Sequence, residues 1–74
     1  MRKLPPISGR DLVKELERFG FLFVRQRGSH MILRREGHPP LTVCVPDHRE
    51  LKRETLANIL RCAGVKREDL DGLE

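Results

Sequence analysis

The sequence predicts a small α+β fold with the element order α-β-β-β-α, in which helices cover one face of a three-stranded antiparallel sheet. Two segments, one near each end of the chain, carry apolar residues at helical spacing. Between them lie three short segments rich in β-forming residues, separated by connections that contain Gly or Pro. These connections are too short for parallel crossovers, so the strands are expected to run antiparallel.

The first predicted helix covers residues 9–19. The two prolines of "KLPPIS" block a helix and indicate an extended lead-in, and Ser8 with Asp11 three residues later forms a capping box. Apolar residues then follow at helical spacing: Leu12, Val13, Leu16 and Phe19. The glycine that comes next supplies the stop.

The three predicted strands are "FLFVRQ", "HMILRRE" and "LTVCV", joined by a Gly-Ser step and by a Gly-His-Pro-Pro run. In the third strand one face carries Leu41, Val43 and Val45, and the other carries Thr42 and Cys44. This alternation is typical of a sheet with one covered face.

The second predicted helix lies in "KRETLANILRCAG", which covers residues 52–64. Its apolar stripe consists of Leu56, Ile59, Leu60 and Ala63. Gly64 is suited to end the helix in a left-handed conformation. The acidic tail "VKREDLDGLE" can add one final turn. With no repeats or linkers, residues 1–74 are expected to form a single domain.

Charge is distributed unevenly along the 74 residues. The chain has 15 Lys and Arg against 11 Asp and Glu, with a sequence pI near 9.7. Residues 1–35 carry a net charge of +6 and residues 36–74 a net charge of −2. The first half should therefore carry a basic face that attracts a polyanion. Cys44 and Cys62 lack metal-ligand spacing, and without an apolar signal or transmembrane run they suggest reduced thiols in a cytoplasmic protein.

The segment "RQRGSHMILRR" holds the candidate site. His30 begins a strand directly after Gly28 and Ser29, a turn that can bring backbone N–H groups close to a phosphate. If Met31 and Leu33 point to the core, alternation puts His30 on the opposite, open face. Its companions on that face would be Ile32 and Arg34. The candidate phosphate contacts are the arginines around the turn: Arg25, Arg27 and Arg34.

Each of these features also has a structural interpretation. His30 could be a strand residue satisfied by a neighbour, and the arginines could be a solvated face. "GSHM" occurs in cloning remnants, but such remnants lie at termini and this one lies inside a predicted hairpin. His48 could be a structural hydrogen-bonding group or an auxiliary site member. A metal site of His30, Cys44 and His48 is disfavoured by spacing, so no metal or other cofactor is expected.

Taken together, these segments resemble the HicA toxins (YcfA-like proteins) of bacterial and archaeal toxin-antitoxin systems. The resemblance covers "ISGRDLVKELERFGF", "RQRGSHMILRR", "LTVCVPDH" and "LKRETLANILRCAGV". It implies a fold similar to a double-stranded RNA-binding domain and an endoribonuclease that cleaves mRNA and halts translation. It also implies that His30 is the catalytic residue. Glu54 departs from the pattern, because the family usually has Gly before the "TL" of the last helix.

The resemblance further implies a HicB-like antitoxin that binds the toxin in a hetero-oligomer and blocks its site. RNA carries its own nucleophile in the 2′-OH, so a lone histidine could support metal-independent cleavage through proton transfer. A non-catalytic RNA-binding module with the same basic face is the main alternative. A protein whose sheet simply docks a partner is a third.

Overall fold

A computed structural model describes residues 7–70 of the chain. Its elements are α1 (Gly9–Glu17), β1 (Leu22–Arg27), β2 (His30–Arg35), β3 (Leu41–Pro46), α2 (Arg53–Ala63) and a final 3-10 turn (Arg67–Asp69). The predicted α-β-β-β-α order is confirmed, the acidic tail does add a turn, and the fold is consistent with the double-stranded-RNA-binding-domain-like architecture. Of the extended lead-in predicted for residues 3–8, residues 3–6 lie outside the described residues, as do the last four residues of the chain, and Ser8 is extended.

The three strands form one antiparallel sheet in the order β1-β2-β3. All of the strand side chains that are buried come from β2 and β3: Met31, Leu33, Val43 and Val45. They join one apolar cluster with the buried residues of both helices. Because these strand residues share one face, α1 and α2 both cover that face and leave the other open, as predicted.

Both helices end in the same hydrogen-bonded motif, which explains their length. At the end of α1, Phe21 N donates to Leu16 O (3.2 Å) and Gly20 N donates to Glu17 O (3.1 Å). Gly20 has φ 93°, a conformation that glycine adopts without steric cost. The predicted end at residue 19 was therefore two residues late, because the chain already tightens into this motif after Glu17.

The two helices are capped differently at their N-termini. Ser8 Oγ accepts from Asp11 N at 3.0 Å and caps α1, as expected. α2 begins after Lys52 without a side-chain cap. Glu54 lies in the first turn of α2, where a negative charge interacts favourably with the helix dipole. Gly64 closes α2 at φ 70°, with Val65 N donating to Leu60 O at 3.0 Å.

The beginning of α1 approaches the end of β3 at backbone distance. Gly9 N donates to His48 O at 2.9 Å, and a Cβ atom added to Gly9 would meet the carbonyl oxygen of Pro46. Only a residue without a side chain fits between these backbone segments. The contact ties α1 to the end of the sheet where the β1–β2 turn lies, since Pro46 is paired with His30.

β1 is an edge strand with every side chain exposed. Leu22, Phe23 and Val24 are 68%, 47% and 53% exposed, and the pairing with β2 shifts between Phe23 and Arg25. The strand was predicted one residue early, because Phe21 precedes β1 and is fully buried. Within the described part of the chain, no helix is long and apolar enough to cross a membrane.

Candidate functional site

The open face of the sheet carries the histidine and most of the arginines of the central segment. Arg27 is paired with His30 across the β1–β2 ladder, and Arg25 is paired with Ile32. Directly opposed residues in an antiparallel pair share a face. His30 is exposed and Ile32 is half-buried, whereas their neighbours in β2 are buried in the core. The predicted orientation of β2 is confirmed.

A shallow depression on this face surrounds His30. It is lined by Arg27, Gly28, His30, Ile32 and Cys44. Ile32 and Cys44 are register partners, so they form a weakly polar floor beside the imidazole and the guanidinium. The depression therefore brings together the guanidinium cation of Arg27, the imidazole of His30 and the backbone of Gly28 on one open surface. This combination is suited to a phosphodiester of an extended chain.

The two-residue turn before His30 depends on glycine for its conformation. Gly28 has φ 57°, the positive value that such a tight hairpin turn requires at its first position. No atom lies within 4 Å of a Cβ added to Gly28, so space is not the constraint. The turn is held in place by the residue that follows β3, because Asp47 N donates to Ser29 O at 2.6 Å.

A polar network of Arg10, Gln26 and Asp47 lies next to the same turn. Gln26 Nε2 donates to Gly28 O at 3.0 Å and to Asp47 Oδ2 at 3.3 Å. Arg10 Nε donates to Asp47 Oδ1 at 3.2 Å. The hydrogen bond from Arg10 is the main reason why the pKa of Asp47 lies below its ordinary value, and partial desolvation opposes this shift. Asp47 is therefore a carboxylate acceptor at neutral pH.

The predicted arginine contacts differ in their surroundings. Arg27 lines the depression, whereas Arg25 and Arg34 lie on the open face outside it. Arg34 Nε forms an ion pair with Glu36 Oε2 at 3.0 Å, while neither Arg25 nor Arg27 has an acidic partner within residues 7–70. Arg35 faces the helices, with its guanidinium 5.0 Å from the centre of the Phe21 ring.

His48 is exposed but does not line the depression. Its backbone carbonyl accepts a hydrogen bond from Gly9 N, and the residue itself comes shortly after the end of β3. Among residues 7–70 no group of three or more His, Cys, Asp or Glu side chains could hold a metal ion. Cys44 lines the depression together with His30, whereas His48 lies outside it.

Three residues near the site were not recognised from the sequence. Cys44 lines the depression, and strand alternation did place it on the face opposite the core. Gln26 and Asp47 contact the turn through hydrogen bonds. Nothing in the local sequence indicates these contacts, because they join segments that are distant along the chain.

A family model described as the HicA toxin of bacterial toxin-antitoxin systems matches residues 9–65. The match begins at the first residue of α1 and ends just after α2, so it includes both helices and all three strands. No individually curated protein matches the chain. The family match shows that the protein is the toxin of a toxin-antitoxin system. More specifically, it belongs to the HicA toxin family.

Proposed function

We propose that this HicA family member is an endoribonuclease that cleaves mRNA and thereby stops translation. One observation carries most of the proposal: His30 lies in the same depression as Arg27 and Gly28 on an open basic face. Family membership supports a nuclease role in general. A phosphodiester lying across the depression would meet positive charge and an imidazole that can transfer a proton.

The proposed reaction is a metal-independent transesterification with His30 as the proton-transfer residue. The 2′ oxygen of the RNA attacks the adjacent phosphorus while His30 takes the 2′-OH proton, and the bond from phosphorus to the 5′ oxygen breaks. Water at this exposed site can supply the proton that the departing 5′ oxygen takes up. The products are a 2′,3′-cyclic phosphate and a 5′-OH end. No covalent bond to the protein and no cofactor is needed.

The arginines are proposed to bind phosphate groups. Arg27, beside His30, is the candidate for stabilising negative charge that develops on the reacting phosphate. Arg25 is free of acidic partners among the described residues and would contact a neighbouring phosphate. Arg34 would have to exchange its ion pair with Glu36 for a phosphate. The backbone of Gly28 and Ser29 can approach the RNA closely because the turn carries little side-chain bulk.

The three histidines provide a matched test of the catalytic residue. His30→Ala should lower the rate of RNA cleavage by about a hundred- to ten-thousand-fold, the usual contribution of a general acid or base. His38→Ala removes an exposed histidine from the β2–β3 loop and should leave cleavage unchanged. His48→Ala tests the auxiliary role, and a loss well below that of His30→Ala is expected because His48 lies outside the depression.

Product analysis tests the chemistry separately. Wild-type protein treated with a metal chelator should still cleave RNA and should leave 2′,3′-cyclic phosphate and 5′-OH ends. A requirement for a divalent metal, 5′-phosphate ends, or a His30→Ala protein as fast as wild type would each contradict the mechanism.

The second candidate is a non-catalytic RNA-binding module, which the basic open face also favours. Removing arginines would weaken RNA binding under both proposals. Growth arrest that depends on His30, with RNA affinity retained in His30→Ala, is expected only for the nuclease. If the protein acts solely by docking a partner, the isolated chain should neither bind nor cleave RNA.

A HicB-like antitoxin is the proposed partner, acting in the cytoplasm on a toxin whose net charge is +4. An acidic antitoxin surface would be drawn rapidly to the open face and would exclude RNA from the depression. Adding an antitoxin encoded beside this chain should abolish cleavage in stoichiometric amounts. A complex that forms while cleavage continues would rule out masking of the site.

A further inference from the structure

We infer that Gln26 and Asp47 are positioning residues, which hold the Gly28-Ser29 turn and thereby fix the location of His30. Neither side chain lines the depression, so neither is proposed to touch RNA. The effect on catalysis rests on the proposed nuclease function, whereas the effect on the turn does not.

Gln26 holds the first residue of the turn. Its Nε2 group donates to Gly28 O at 3.0 Å and to Asp47 Oδ2 at 3.3 Å. Because Gln26 is paired with Met31, it lies on the helix-facing side of the sheet, opposite to His30. The amide therefore supports the turn from behind the site.

Asp47 holds the second residue. Its backbone N–H donates to Ser29 O at 2.6 Å, and its carboxylate is held in turn by two hydrogen bonds from Arg10 at 3.2 and 3.4 Å. Arg10 follows Gly9, whose N–H is bound to the carbonyl of His48. The start of α1 and the end of β3 are thus linked to each other and to the turn by hydrogen bonds.

The turn needs this support because its own contacts are few. Gly28 and Ser29 are exposed, and the space around Gly28 is open. Exposed turns with few packing contacts open locally at low free-energy cost. His30 follows the turn directly, so its position relative to Arg27 depends on the turn remaining closed. Small displacements of a catalytic group reduce rates strongly.

Two substitutions separate geometry from charge. Gln26→Met removes both donated hydrogen bonds without changing the net charge. Asp47→Asn removes the ion pair with Arg10 and also removes a negative charge from a basic region. If Asp47 acted only through its charge, Asp47→Asn would bind RNA more tightly and cleave at an unchanged kcat. A positioning role predicts a lower kcat in both variants.

The matched control is Asn58→Ala, which removes the exposed 2.6 Å hydrogen bond from Arg61 on α2, away from the turn. For each protein, NMR measures exchange of the backbone amides of His30, which closes the turn opposite Arg27, and of residue 47, which donates to Ser29 O, together with kcat, KM and the thermal midpoint. In Gln26→Met and Asp47→Asn, exchange at these amides should accelerate about ten-fold and kcat should fall about ten-fold, with KM within about two-fold of wild type. Asn58→Ala should match wild type in kcat and exchange.

The outcomes are distinguishable. Unchanged exchange at the turn in both variants would overturn the positioning role, and so would faster exchange with an unchanged kcat. If His30→Ala cleaves RNA as fast as wild type, the catalytic role of His30 and the catalytic half of this inference fail together. Faster exchange in that case would still identify Gln26 and Asp47 as the support of the turn. If one variant does not fold, the other gives the same comparison.

Discussion

Gly9→Ala should destabilise the fold although alanine is the better helix former. The added Cβ would overlap the carbonyl oxygen of Pro46 and would lie 3.3 Å from Cα of Asp47. Both atoms belong to the backbone, so no side-chain rotation can relieve the contact. α1 and the end of β3 must therefore move apart, which weakens the 2.9 Å hydrogen bond from Gly9 N to His48 O.

The expected cost can be estimated from its parts. Forcing a methyl group into a filled space costs about 1–3 kcal/mol, and weakening a backbone hydrogen bond adds up to about 1 kcal/mol. Replacing Gly by Ala in a helix stabilises the helix by up to about 1 kcal/mol, which opposes these costs. Because the last two contributions are of similar size and opposite sign, the free energy of unfolding of Gly9→Ala should fall by about 1–3 kcal/mol. In a domain of this size, each kcal/mol lowers the thermal midpoint by about 4–8 °C.

Urea denaturation with Gly64→Ala as control separates steric from conformational effects. A Cβ at Gly64 meets nothing within 4 Å, but φ is 70°, so this variant should lose about 1–2 kcal/mol through backbone strain alone. Gly9→Ala should additionally accelerate exchange of the Asp47 amide, whose N–H donates to Ser29 O. A Gly9→Ala protein as stable as wild type would refute the close approach of α1 to β3.

Three further predictions concern the core, the polar network and the depression. Leu33 is fully buried in β2, so Leu33→Ala should lower the free energy of unfolding by about 2–5 kcal/mol in urea denaturation. Ile32 is only half-buried, so Ile32→Ala should lower it by less than about 1.5 kcal/mol. Equal losses would contradict the assignment of the two residues to opposite faces. Because the folded pKa of Asp47 is below its ordinary 3.8, its ion pair stabilises the fold above that pH and is lost as pH falls further. The stability difference between wild type and Asp47→Asn should therefore shrink from pH 7 to pH 3, and a constant difference would count against the ion pair. Cys44 is exposed beside His30, so a bulky maleimide on its thiol should slow RNA cleavage more than the same label on exposed Cys62, and equal effects would remove Cys44 from the depression.

The orientation of β2 could be predicted because it depends on a local rule. Every second residue of a strand points to the same face, so the burial of Met31 and Leu33 determines where His30 lies. The same rule places Arg35 on the side of the helices, which removes it from the group of arginines near the histidine. It also places Glu36 beside Arg34, where the ion pair is found.

The support of the turn could not be predicted from local rules. Arg10 and Asp47 are 37 positions apart, and Gln26 and Asp47 are 21 positions apart. Their contacts exist because α1 approaches the end of β3 closely, and that approach depends on a single glycine. The capping and closing residues of the helices were recognised, since Ser8 and Gly64 act within one turn of chain. Long-range polar contacts carry no such signal.

One face of the sheet forms the core and the other carries the candidate site, and this separation has a consequence for engineering. None of the side chains on the open face, from Arg25 and Arg27 on β1 to Thr42 and Cys44 on β3, belongs to the buried cluster. Substitutions at exposed positions of this kind usually change folding free energy by less than about 0.5 kcal/mol. A library that varies the exposed positions of this face and keeps half-buried Ile32 could therefore be selected for new binding preferences without first being filtered for folding.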